Sequence, residues 1–391
     1  MTDRVRVLEL RSATGAGGGP EKTILLGAEA ADPRIAVTVC YIRDARDEAF
    51  EIGERARRRG VDYVEIVEHG SFDRRVWPAL RRLVRDRGID IVHSHDYKTD
   101  LLALMLSKAE RILPLATAHG WTGHSRRERL VYYAFDKQVL RAFPMTIAVS
   151  SEIRDDLIRH GVAPDRVRVV LNGIDHRAFR RDPALEPRMR AELGIFSDEF
   201  VVGSIGRLEP QKRFDLLIEA CAAARQRKPR VRLLIAGDGS LREELTTLAA
   251  NLLPEHACQL LGHRSDVVAL HHAFDVYAQS SDYEGTPNSV LEAMALETPI
   301  VATAAGGTAE IVAADREGIV IPCGDTRALA RGIEDTLTDV GAARERAVRA
   351  RHRVETKLSF SQRLATVERI YLELAARRTG RVKPSVTEEW A

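Results

Sequence analysis

In the segment 282–295 (DYEGTPNSVLEAMA), Glu284 stands just before a helical stretch and Glu292 about two turns into it. Thr286 is expected as the N-cap, and Pro287 suits the first helical position, where a missing N–H costs nothing. From Asn288 onward the run is helical, with Val290, Leu291 and Met294 apolar. Such a helix turns its positive end toward whatever sits in front of it. Two carboxylates placed this way can accept hydroxyl hydrogen bonds from different parts of one polyhydroxylated ligand, while backbone N–H groups between them hold a phosphate. A second segment, 203–215 (GSIGRLEPQKRFD), puts Arg207 at the end of an expected strand and Lys212 at the start of the next helix. Alone, either is an ordinary surface charge. Together, at those positions, they suit the negative charge that develops on a departing diphosphate.

Residues 15–23 read GAGGGPEKT. A dinucleotide fingerprint begun at Gly15 needs glycine where Pro20 stands, and a P-loop needs glycine where Glu21 stands. What survives is a turn of little bulk, whose N–H groups either face an anion at a helix N-terminus or bind nothing. His93 and His95, two apart on an expected strand, share a face. No third metal ligand is evident beside them, and polar lining of a cleft is the preferred reading.

These residues need a scaffold. In the first half, strands are expected at 5–10, 35–42, 63–67, 89–95, 113–120 and 146–150, with helices from Pro20 and over 47–59, 73–87 and 99–108. In the second half, strands are expected at 200–208, 232–237, 258–262, 276–280, 299–303 and 319–322. The helix 213–227 places Phe214, Leu217, Ile218 and Cys221 on one face. Alternating strands and helices predict parallel sheets covered on both sides, with ligands beyond the carboxyl ends of the strands. Residues 176–196, with two prolines and no period, read as a linker. Residues 359–378 read as an amphipathic helix and 379–391 as a frayed end.

Of 391 residues, 45% are hydrophobic and 30% charged, which excludes disorder as the main state. No apolar run approaches the ~18–20 residues of a membrane span. The start, MTDRVRVLEL, runs straight into a strand, so no signal-peptide core is expected. Cys40, Cys221, Cys258 and Cys323 are too scattered for a disulfide framework or a cysteine zinc site. A cytoplasmic protein is expected. Net charge is +2, divided as +6 over the first 181 residues and −4 over the rest. No dense basic block with interleaved aromatics occurs, so nucleic acid is a poor partner, whereas an anionic membrane surface or acceptor suits the first half.

Taken together, the motifs resemble the retaining GT-B glycosyltransferases of the glycosyl transferases group 1 family. The likeness runs through GGGPEKTILL (17–26), HSHD (93–96), TAHGWTG (117–123), AVSSEIRDDL (148–157), VVLNGID (169–175), GRLEPQK (206–212), AGDGSLREEL (236–245) and EGTPNSVLEAMA (284–295). Glu284 and Glu292 match the family's E-x7-E pair. The resemblance implies an α/β fold of two Rossmann-like domains whose parallel sheets face an interdomain cleft. Residues 1–180 would bind the acceptor and 181–358 the nucleotide sugar, with helix 359–378 crossing back to the first domain. It implies that Gly18 and Gly19 approach the donor diphosphate and the acceptor, and that Arg207 and Lys212 bind the donor phosphates. Glu284 would hold donor-sugar hydroxyls and Glu292 the ribose. Thr286, Pro287, Asn288, Ser289, Val290 and Leu291 would line the phosphates and ribose, and Gly262, His263 and Arg264 would lie near the base. His119 matches a histidine that contacts the transferred sugar. No metal or other cofactor is implied. Relatives often carry Phe-Gly where this chain has Thr286-Pro287-Asn288, which leaves the donor sugar open.

The expected reaction moves a sugar from a UDP- or GDP-sugar to a hydroxyl of a glycan or lipid-linked acceptor, with retention, in bacterial polysaccharide or glycolipid synthesis. Residues 121–133 (WTGHSRRERLVYY) and the arginine-rich helix 73–87 suggest docking of an anionic, lipid-linked acceptor at a membrane surface. Three rivals stand beside this reading. A nucleotide-sugar epimerase would show its own motifs, which are absent. An inactive sugar-nucleotide-binding relative has no need to keep His119, Arg207, Lys212, Glu284 and Glu292. A NAD-dependent dehydrogenase is disfavoured by Pro20.

Overall fold

The computed structural model describes residues 4–13, 15, 17–70, 73–120 and 133–378. Two compact units are present. One comprises the chain up to Val170 together with Leu364 onward, and the other comprises Leu171–Arg363. The sequence reading set its boundaries after 180 and 358. Residues 171–180 fall in the second unit because Asn172 is hydrogen-bonded to Thr286 there, and Ile174 pairs with Ser359.

Among the described residues, the first unit holds seven strands: β1 (Val5–Ser12), β2 (Ile35–Asp44), β3 (Tyr63–Glu68), β4 (Ile91–Ser94), β5 (Leu113–Ala118), β6 (Thr146–Ala148) and β7 (Val167–Val169). Their order across the sheet is β3-β2-β1-β4-β5-β6-β7, and every pairing is parallel. Side chains alternate as a strand period of two requires. Leu8 and Leu10 pack with Leu80, Leu83 and Leu106 on one face, whereas Val7 packs with Ile91, Leu115, Val367, Ile370 and Leu374 on the other. The last three contacts show what helix Phe360–Arg378 does in this unit, where its apolar stripe covers the sheet. β7 was not foreseen, since three residues between polar turns carry no readable period.

The second unit holds β8 (Phe200–Ile205), β9 (Val231–Ala236), β10 (Cys258–Gly262), β11 (Val276–Gln279), β12 (Ile300–Thr303) and β13 (Ile319–Ile321), among the described residues. Their order is β10-β9-β8-β11-β12-β13, again all parallel. Helices Phe214–Arg225 and Thr326–Thr338 bury Leu217, Ile218, Leu329 and Ile333 on one face. Helix Asn288–Ala295 buries Val290, Leu291 and Met294 on the other, against Ala350 and Val354. Part of the expected linker is a helix, Leu185–Glu192, whose Met189 packs with Leu193, Ile195, Val201 and Leu270. Its solvent-facing arginines and glutamates hid the few apolar positions that anchor it.

In both sheets the strand order reverses direction once, between β1 and β4 and between β8 and β11. Connections leave to opposite sides there and open a crevice beyond the carboxyl ends of the two strands. The chemistry-bearing residues gather at these two places.

Candidate active site

At the second reversal, Gly206 and Arg207 directly follow β8, and β11 ends in Gln279. The Lys212 stem lies over Gly206, its Cε 3.6 Å from where a Cβ would stand. Its Nζ reaches Glu284 Oε1 at 2.5 Å. The same oxygen accepts hydrogen bonds from Ser281 Oγ at 2.7 Å and Gln279 Nε2 at 3.2 Å. Thr308 Oγ1 in turn donates to Gln279 Oε1 at 3.1 Å, so the carboxylate is held from three sides. Gln279, Ser281 and Thr308 were not singled out in the sequence. Their signal was their place at strand ends, which does not separate them from other small polar residues.

The loop before helix Asn288–Ala295 is fixed by two contacts. Gly306, at φ +51°, packs against Glu284 so closely that a Cβ would stand 1.8 Å from the Glu284 carbonyl oxygen. Gly307 N–H donates to the Gly285 carbonyl at 2.8 Å. Thr286 is not the N-cap expected. Its hydroxyl accepts from the Asn172 N–H at 3.2 Å, and Pro287 occupies the cap position with no side-chain cap bond. The first-turn amides have no acceptor inside a helix, and an end of this kind suits an anion. Ser289 lies beside the buried Tyr277 hydroxyl, which burial pushes up and the Ser289 contact opposes. Glu292 is buried at 6% exposure rather than on a solvated face.

Arg207 is exposed, and its side chain has no hydrogen-bond or ion-pair partner among the described residues. Gly262 ends β10, and its carbonyl accepts from Gly237 N–H at 2.8 Å. His263 beside it is exposed. Arg264 is paired within the chain: its guanidinium holds Asp266 at 2.7 Å and Glu192 at 2.9 Å. Those carboxylates raise its pKa further, side-chain hydrogen bonds leading.

At the first reversal, Gly17 takes φ +73°, and a Cβ there would stand 2.5 Å from Glu21 Cγ. Glu21, the residue that spoils a P-loop, is buried and structural. It accepts from Arg11 Nε at 2.6 Å and from the Gly18 N–H at 2.5 Å. Burial opposes its charge, and Arg11 with the Gly18 amide outweighs that, so its pKa falls. The Gly18 amide is thus committed within the chain rather than offered to an anion. Gly19 opens helix Gly19–Glu29. His119 follows β5 and lies 3.1 Å, Nε2 to Nδ1, from His95. His95 Nε2 lies 2.5 Å from Glu9 Oε2. Glu9 pairs with His93 across β1 and β4, so a third group with metal-ligand spacing does accompany His93 and His95. The sequence reading missed it because Glu9 lies in a strand that otherwise reads as core.

Of the arginines expected to face an anionic surface, Arg81 and Arg85 pair with Glu110, Arg87 with Asp62 and Arg75 with Asp73. Trp121, Arg126, Arg127, Arg129 and Tyr132 lie outside the described residues. Among the described residues, no helix is long and apolar enough to cross a membrane.

Comparison with known proteins adds a family-level result. The model of "Glycosyl transferases group 1" matches residues 186–353, and that of "Glycosyltransferase Family 4" matches residues 17–178. EpsD of Bacillus subtilis, which carries a glycosyltransferase description, is 32% identical over 270 residues, 66% of this chain and 70% of that one. Alpha-maltose-1-phosphate synthase of Mycolicibacterium smegmatis is 29% identical over 323 residues, 73% and 79% of the two chains. Among solved structures, Anabaena Alr3699/HepE in complex with UDP-glucose superposes with a TM-score of 0.84 at 21% identity, over 95% of this chain and all of that one. Sucrose-phosphate synthase from Thermosynechococcus elongatus gives 0.80 at 19% identity, over 96% and 100%.

Proposed function

The chain belongs to the glycosyl transferases group 1 family, and on that premise we propose that it moves a sugar from a nucleoside diphosphate sugar to a hydroxyl acceptor with retention of configuration. One observation carries the reading: the Lys212–Glu284 pair stands beside an uncapped helix N-terminus and a partnerless Arg207 at the carboxyl edge of the second sheet. A nucleoside diphosphate sugar offers the matching groups in the matching order. Its diphosphate takes Arg207, Lys212 and the amides of Asn288, Ser289 and Val290. Its ribose takes Glu292, and its sugar takes Glu284. Solved relatives of this fold are described in complex with UDP and with UDP-glucose, which supports a donor of this class.

In the reaction, the acceptor oxygen bonds to the anomeric carbon as the bond from that carbon to the diphosphate breaks. The acceptor proton passes to the departing phosphate oxygen, which is on the same face. Arg207, Lys212 and the helix end carry the charge that accumulates on the diphosphate, so they act most strongly late in bond breaking. The first unit binds the acceptor, a glycan or lipid-linked hydroxyl, in polysaccharide or glycolipid synthesis. The test is the transfer rate of Arg207→Ala and Lys212→Ala. Each should lose about 2–4 kcal/mol of transition-state stabilisation, roughly thirtyfold to a thousandfold in kcat. A loss under threefold in both overturns the assignment.

A further inference from the structure

The geometry points to a buried positioning relay in which Glu9, through His95, sets which nitrogen of His119 carries the proton. Glu9 and His95 sit in the crevice at the first reversal, with Glu9 12% and His95 4% exposed at the side chain. Among the described residues, five donor–acceptor contacts link the network: Tyr371 hydroxyl to Glu9 Oε1 at 2.6 Å, His95 Nε2 to Glu9 Oε2 at 2.5 Å, His93 Nδ1 to the Tyr371 hydroxyl at 2.6 Å, His93 Nε2 to Thr117 Oγ1 at 2.7 Å, and His95 Nδ1 to His119 Nε2 at 3.1 Å.

Counting protons along these contacts leaves one solution. A neutral imidazole has one N–H and one lone pair. The ionised Glu9 only accepts, so Tyr371 and His95 Nε2 both donate to it. With its N–H committed there, His95 offers a lone pair at Nδ1. His119 must then donate from Nε2, and its Nδ1, in the neutral ring, carries no proton. On the other arm, the Tyr371 oxygen accepts from His93 Nδ1–H, and His93 Nε2 accepts from Thr117. Burial, with Glu9 opposing, pushes His95 down to about 4, which keeps it neutral at pH 7. Glu9, His93 and His95 have the spacing of a metal site, and each of their ring nitrogens and carboxylate oxygens has a hydrogen-bond partner within the protein.

The consequence concerns specificity at the reacting sugar. A neutral histidine with its proton held at Nε2 accepts at Nδ1 and cannot donate there until it becomes protonated. Tyr371 lies on the last helix, so that helix secures the relay as well as covering the sheet. The role at the sugar rests on the function proposed above; the tautomer assignment does not.

The experiment uses full-length protein labelled with 15N at histidine. Long-range 1H–15N correlations distinguish protonated from unprotonated ring nitrogens, and His95→Gln and His119→Gln identify the signals. The wild type should show His95 and His119 both protonated at Nε2 only. In Glu9→Gln, the amide nitrogen offers a hydrogen where the carboxylate accepted one, and in Glu9→Leu the acceptor is gone. His119 should shift toward the Nδ1–H form in the first and become mixed in the second. Turnover of UDP-glucose as probe should fall at least tenfold in Glu9→Gln, with UDP affinity within twofold of wild type. A wild-type His119 protonated at Nδ1, an unchanged His119 in both Glu9 variants, or one equivalent of tightly bound metal lost in His93→Ala would each overturn the relay. A wild type without sugar-nucleotide turnover but with the expected tautomers overturns the function and leaves the relay standing.

Discussion

Lys212 and Glu284 illustrate how a site residue differs from a salt bridge that merely decorates a surface. Exposed ion pairs contribute ~0–1 kcal/mol. This one is largely buried, with side-chain exposures of 17% and 8%, and Gln279 and Ser281 also bind the carboxylate. Neutralising it by Glu284→Gln leaves a cation with a weaker partner, so the variant should keep its fold and lose at least tenfold in kcat/KM for the donor. Equal kcat/KM would remove Glu284 from the site. A second residue-scale prediction concerns the buried Asp100. Burial raises its pKa well above the usual carboxylate range, the facing Asp136 adds to this, and the Ser94 hydroxyl opposes. The folded state therefore holds a proton that the unfolded chain releases near pH 4. Stability from this group is complete below about pH 4 and is lost as pH rises toward the folded value. Asp100→Asn should accordingly gain more over wild type at pH 7 than at pH 4 in urea unfolding; an equal difference at both would contradict it. Asp100 carried no signal in the sequence, since an acidic residue in the first turn of a helix is ordinary there.

At the scale of elements, the helix Asn288–Ala295 was legible and its cap was not. The apolar spacing of Val290, Leu291 and Met294 and the proline before them marked the helix. The partner of Thr286 is Asn172, more than a hundred residues away, and no local pattern reports that. The loop geometry gives a direct test. Gly306→Ala must relieve a 1.8 Å contact with the Glu284 carbonyl at a left-handed φ. It should shift Glu284 and lower donor turnover at least tenfold, measured beside circular dichroism to show that the fold persists. The segment 176–196 was misread for a related reason. Helix Leu185–Glu192 is stabilised through Met189, 7% exposed, against a core assembled from distant strands, and not through its own periodicity. Met189→Ala should cost about 2–4 kcal/mol in chemical denaturation. A cost below about 0.5 kcal/mol would mean the segment is a tether after all.

For the whole molecule, the alternation of strands and helices predicted two parallel sheets, and two are present. Strand order was not legible. It determines where the reversals fall, and hence why Arg207, Gln279 and Glu284 converge in one sheet and Glu9, His95 and His119 in the other. The glycine-rich turn shows the limit of motif reading: Glu21 argued against a P-loop, but its task, holding the Gly18 amide and Arg11, depends on how the turn folds back on β1 and not on a local motif. The central claim is that the second unit binds a nucleoside diphosphate through Arg207 and its neighbours. It is tested most directly by calorimetric titration of the full chain with UDP and with GDP in the presence of EDTA, for wild type and Arg207→Ala. The account predicts that one of the two nucleotides binds the wild type and that Arg207→Ala weakens it at least tenfold, as expected for a lost charge-assisted contact of about 1.5–3 kcal/mol. Binding of neither nucleotide, or equal affinity in the variant, would contradict it.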